Sequence, residues 1–114
     1  MAFLRLNDII GSVSAISPRH GKKAYDSVSD RILKSESVTV SFDGMKDCSS
    51  AFFNSFVGKL YMNFEPSKLD RLLCVQGLDQ NHIWRKKFDN ARLLGTNENV
   101  RTTRRKSIDN LFQY

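Results

Sequence analysis

Cysteine, histidine, proline and tryptophan are scarce in this chain of 114 residues, and each scarcity excludes something. Its two cysteines, Cys48 and Cys74, stand singly with no C-x-x-C, so no disulfide framework or zinc ribbon is written here. Two free thiols behind an N-terminus with no long apolar run predict a reducing, cytoplasmic setting. His20 and His82 are the only histidines. They have no ligand spacing with the cysteines, so no metal is expected, and no cofactor either. There is no G-x-x-x-x-G-K-[ST] and no G-x-G-x-x-G to cradle a phosphate. No window approaches the ~18 consecutive apolar residues of a membrane span, so no membrane role is expected.

What remains is ordinary globular material. Hydrophobic residues make up 40% and charged residues 26%, close to average usage. The length suits one domain, and such a chain buries roughly two-thirds of its unfolded surface without staples. The net charge is +6 and uneven. Its excess lies in Arg85-Lys86-Lys87 and in the 101–106 run that holds Arg101, Arg104, Arg105 and Lys106. Such clusters can bind nucleic acid, an acidic protein surface or a membrane face, and the plain reading is a solvated helix face with a soluble tail.

Along the chain, Phe3, Leu4, Leu6, Ile9 and Ile10 predict an opening strand or short apolar start. Alternation of Val13, Ala15 and Ile16 with serines predicts a second strand, in a hairpin with the first. Ala24, Tyr25, Val28, Ile32 and Leu33 predict a helix over 20–34. Residues 38–42 (Val-Thr-Val-Ser-Phe) are β-branched and short, as a buried strand requires, and Asp43-Gly44 makes the exit turn. Phe52, Phe53, Phe56, Val57, Leu60, Tyr61 and Phe64 predict an apolar helix over 51–64, with Gly58 marking close backbone packing. Glu65-Pro66-Ser67 ends it. Leu72 to Val75 predicts a third buried strand with Cys74 in the core. Asp79 is the expected cap of a last helix reaching Leu94, with Ile83, Trp84, Phe88, Ala91 and Leu94 as its stripe and Gly95 as its C-cap. Residues 96–107 are expected to be mobile, and the 108–114 segment to dock back. The division is therefore an α/β domain over 1–95 and a basic tail over 96–114.

Between the strand and the apolar helix lies Asp47-Cys48-Ser49-Ser50. A serine there caps the helix, worth about 1 kcal/mol, and that is its default explanation. A hydroxyl at that positive end is also a place where a phosphate would be stabilised. Cys48 at a helix N-terminus invites a thiol enzyme, but no base accompanies it, so no enzyme is expected.

His20-Gly21-Lys22-Lys23-Ala24-Tyr25, then 38–44, then 49–60 (Ser-Ser-Ala-Phe-Phe-Asn-Ser-Phe-Val-Gly-Lys-Leu), resemble the STAS-like domain family. These are small bacterial and phage proteins related to anti-sigma factor antagonists, and the resemblance spans 17–94. It implies an α/β fold: a mixed sheet of about four strands, with three helices mainly on one face. In antagonists a partner kinase phosphorylates the Ser of an Asp-Ser pair before the second helix. Ser50 falls at that Ser, and Ser49 stands where those proteins have Asp. The expectation is a non-enzymatic regulatory module that binds a protein partner through Ser49, Ser50, Lys46 and Asn54. The rival is a nucleic-acid-binding protein using Arg85, Lys86, Lys87 and the 101–106 run.

Overall fold

Val38 and Val40 of strand β3 (Val38–Ser41) are buried in the hydrophobic core, and β3 is the central strand of the main sheet. The structure is a computed structural model that describes residues 2–111, with side chains at 2–79 and 81–99. β1 (Ala2–Arg5) and β5 (Leu73–Gln76) flank β3, and both pairings are parallel. The register aligns Ala2, Val38 and Leu73 in one row and Leu4, Val40 and Val75 in another, all packed on the core. The opposite face carries Phe3, Thr39 and Cys74 in a row, where Phe3 is 59% exposed and Cys74 is exposed. Thr39 and Ser41 of the central strand are buried on this face, so its exposure is confined to the edge strands. The sheet is wholly parallel where a mixed one is predicted, and it has three strands.

The missing strand is accounted for at the chain's start. Leu6 and Ile10, four residues apart, share the buried side of a short helix, α1 (Leu6–Ile10). Gly11 then turns left-handed and ends it. β2 (Ser14–Ala15) makes no hairpin with β1. It pairs in parallel with β4 (Asp47–Cys48) as a separate two-stranded sheet.

α2 (Pro18–Leu33) follows as predicted, with Ser17 as its cap and Pro18 in the first turn. Leu33 is exposed instead of sharing its apolar face. The apolar helix is built in three pieces: α3 (Ser50–Phe53), a π-helical turn (Asn54–Gly58) and α4 (Lys59–Asn63). Phe52, Phe53, Phe56, Val57, Leu60 and Tyr61 are buried along it. Phe42 stacks on Phe53 at 5.8 Å and meets Phe52 edge-on at 6.4 Å. Pro66 both stops this helix and opens an unpredicted one, α5 (Pro66–Leu72), because a first-turn proline has no amide to lose.

α6 (His82–Leu111) departs most from expectation. Asp79 does not cap it. Asn81 does, with Oδ1 accepting from Ile83 N at 2.9 Å and Trp84 N at 3.3 Å. Phe88 and Ala91 enter the core as predicted, while Ile83 and Leu94 stay exposed. Gly95 does not end the helix, which runs on through 96–107. A Cβ at Gly95 would collide with the Gly58 carbonyl oxygen, so the glycine serves a helix crossing. The expected docking of 108–114 lies outside the described side chains. Among the described residues, no helix is long and apolar enough to cross a membrane.

Candidate functional site

The turn before α3 is held from two sides. After β3, the Asp43 amide donates to Ser41 Oγ at 3.2 Å, and Gly44 takes the positive φ of 85° that the turn needs. Lys46 N donates to Val13 O at 2.7 Å and Ser49 N to Ala15 O at 2.9 Å. Residues 46–50 are therefore stitched to the segment that leads into α2.

Within the turn the two serines differ. Ser49 Oγ accepts from Phe52 N at 3.1 Å and donates to the Ile16 carbonyl. Its hydroxyl is taken up in capping α3 and tying the turn down. Ser50 is the first residue of α3 and is exposed, as is Lys46. Asn54 is exposed too, but it opens the π-helical turn and lines a different groove with Gly58, Met62 and Leu94.

Cys48 is buried. Burial first, then the Asp47 charge, pushes its thiol up to about 12 against a smaller opposing effect of Lys87. A thiol held protonated is a poor nucleophile, so the helix terminus does not activate it. Cys74 is the exposed one, because an edge strand buries alternate residues only.

The basic triplet is spread around α6. Successive helical residues are about 100° apart. Arg85 lies over the Phe88 ring at 5.6 Å and pairs with Asp89 at 3.5 Å. Lys86 is exposed. Lys87 turns the other way, and its Nζ donates to Cys48 O at 3.2 Å. The triplet is not one patch, and one of its members belongs to the serine turn. The side chains of Arg101, Arg104, Arg105 and Lys106 lie outside the described residues.

Lys87 closes a cleft of about 380 Å³ beside the turn, lined with Ile16, Lys46, Ser49, Ile83 and Trp84. Sequence patterning does not reveal this cleft. Ile16 precedes α2 and Ile83 lies in the first turn of α6, where the β2–β4 pairing and the Asn81 cap hold their segments. A second cluster it does not reveal joins α4, α5 and α6. Tyr61 Oη donates to Asp70 Oδ1 at 2.8 Å, Arg92 Nη2 donates to both Asp70 oxygens at 3.0 and 2.8 Å, and the guanidinium lies 5.1 Å from the Tyr61 ring centre. Burial and then Asp70 push the Tyr61 hydroxyl up to about 12. These groups satisfy one another, which is a structural tie.

A family model described as a STAS-like domain of unknown function matches residues 20–82. That is more than half of the chain, and the chain belongs to this family. No curated protein and no solved structure matches it.

Proposed function

We propose that this STAS-like chain acts by binding. It is a non-enzymatic regulatory or interaction module that takes a protein partner at residues 46–50 and the start of α3, and Ser50 is the position that tunes the contact. The observation that supports this is the division of labour between the serines. Ser49 spends its oxygen on the Phe52 amide and the Ile16 carbonyl, while Ser50 stands exposed at the helix start. A change at Ser50 therefore alters the surface without uncapping α3. A phosphate there would bring about two negative charges beside the exposed Lys46. The chain has Ser49 where antagonists have Asp, so the kinase that would act on it differs in its recognition. The protonated Cys48 thiol speaks against a thiol enzyme.

The test is affinity capture with wild type, Ser50→Ala and Ser50→Asp from the native cytoplasm, with intact-mass measurement for phosphate. Ser50→Ala is expected to retain the wild-type partner and Ser50→Asp to change its retention about tenfold. Identical partners and yields from all three would remove the switch. A mobility shift with nucleic acid that weakens steeply with salt would favour the nucleic-acid rival instead.

A further inference from the structure

The geometry points to an occupant for the cleft beside the serine turn: an acidic, aliphatic peptide segment of a partner protein, seated on Ile16, Ile83 and Trp84 and drawn in by Lys46 and Lys87. This rests on the interaction role above and adds the chemistry of the partner. Ile16 is 57% exposed and Ile83 63% exposed. They come from distant parts of the chain and line one cleft with half-buried Trp84. The Trp84 ring lies 6.3 Å from that of Phe42, so the floor is anchored to the core. Aliphatic side chains held in water around an aromatic floor are what a partner's apolar residues cover.

Charge selects among apolar partners. Among the described residues the carboxylate pairs engage Lys22, Lys34, Arg85 and Arg92, and neither Lys46 nor Lys87. Lys87 gives one donor to the neutral Cys48 carbonyl and forms no carboxylate pair among the described residues. Among the described lining residues the one acid is Asp47, which accepts from the Ser14 hydroxyl at 3.4 Å. Two lysines against one aspartate favour carboxylates arriving with the aliphatic side chains. A nucleic acid needs a row of cations along its phosphates, and this cleft offers two beside isoleucines.

Trp84 is the only tryptophan, so its emission reads the cleft. The full chain is titrated with a short peptide of alternating Glu and Leu, with its Lys and Leu counterpart, and with oligothymidylate. The acidic peptide is expected to shift the emission saturably and to weaken as salt rises. Ile83→Glu and Lys87→Glu are each expected to weaken it about tenfold or more, with far-UV circular dichroism showing the fold intact. Equal shifts with both peptides, or none with either, would overturn the acidic occupant. A shift with oligothymidylate alone would assign the cleft to nucleic acid and overturn it too. If the acidic peptide fails while Ser50→Asp still alters partner capture, the interaction surface stands and this occupant falls. If the peptide binds and Ser50→Asp changes nothing, the occupant stands and the tuning role of Ser50 falls.

Discussion

Cys48 and Cys74 show what residue type leaves undecided. Cys48 sits among polar residues (Asp47, Ser49, Ser50) and Cys74 in an apolar run, so the sequence places Cys74 more firmly inside. In the fold Cys48 is buried and Cys74 exposed. Strand alternation would predict this for Cys74 only if β5 were known to be an edge with one open face, which is a property of the sheet. Native protein at near-neutral pH is therefore expected to show a single titratable thiol with a disulfide reagent. Cys74→Ala should abolish it, and unfolding should release both. If Cys48 reacts as fast as Cys74, its burial is wrong. The same burial has a pH consequence. The folded pKa of Cys48, about 12, lies above its ordinary value of 9.0. Its contribution to stability is thus complete below about pH 9 and lost as pH climbs toward 12. Tyr61, raised from 10.0 to about 12, has the same sign over a narrower window. Urea midpoints should fall above about pH 9, and Cys48→Ala should flatten the first part of that fall. A midpoint independent of alkaline pH would contradict both assignments.

Among the elements, α2 and the apolar helix are legible, while α1 reads as strand, α5 is missed and the partners of each helix are hidden. The 3.6-residue period exposed α2 and the apolar helix, because each buries a stripe of its own residues. Gly58 could be recognised as a close-packing site. Gly95 reads equally well as a helix end, since its reason lies on another helix, at the Gly58 carbonyl. α5 was hidden by Pro66, whose first-turn role resembles a simple stop. The crossing supports a paired prediction. Gly95→Ala gains about 1 kcal/mol of helix propensity but forces the helices apart, for a net loss of about 1–3 kcal/mol. A Cβ at Gly58 would meet Ala91 O at 3.5 Å, an ordinary contact. Gly58→Ala should therefore be neutral or slightly stabilising. Denaturant midpoints of the two variants check this, and equal effects would mean the helices do not cross as described. Asn99 reinforces the same contact from α6, since its Nδ2 donates to Tyr61 O at 3.1 Å and Phe64 O at 3.0 Å at the end of α4.

Over the whole molecule, the order of strand, helix, strand, helix was readable, and so was the serine turn between β3 and α3. The register was not, nor was the pairing of β2 with β4, which joins Ser14 to Asp47. Those depend on distant segments that leave no local pattern. The matched span, 20–82, omits β1, β2 and nearly all of α6. Yet β1 pairs with β3 from Ala2 to Arg5, and Phe88 of α6 packs edge-on against Phe53 at 6.4 Å. A fragment of residues 20–82 should consequently lack a cooperative thermal transition, while the full chain shows one. Cooperative unfolding of that fragment would mean that β1 and α6 are accessories.

The π-helical turn at Asn54–Gly58 lies between the exposed Ser50 and the Gly58 crossing. Such a turn accommodates a residue that a regular α-helix of the same height would not. The π-turn can lose that extra residue and leave α3 in phase, whereas removing one residue from the regular helix α4 would rotate the start of α3 by about 100° against the rest. Ser50 would be re-aimed and Phe52 and Phe53 driven from their places. Insertions and deletions in α4 are thus not neutral edits across a lineage. Two descendants could share every letter of Ser-Ser-Ala-Phe-Phe and still, by one residue of length in α4, present different side chains to whatever meets that turn.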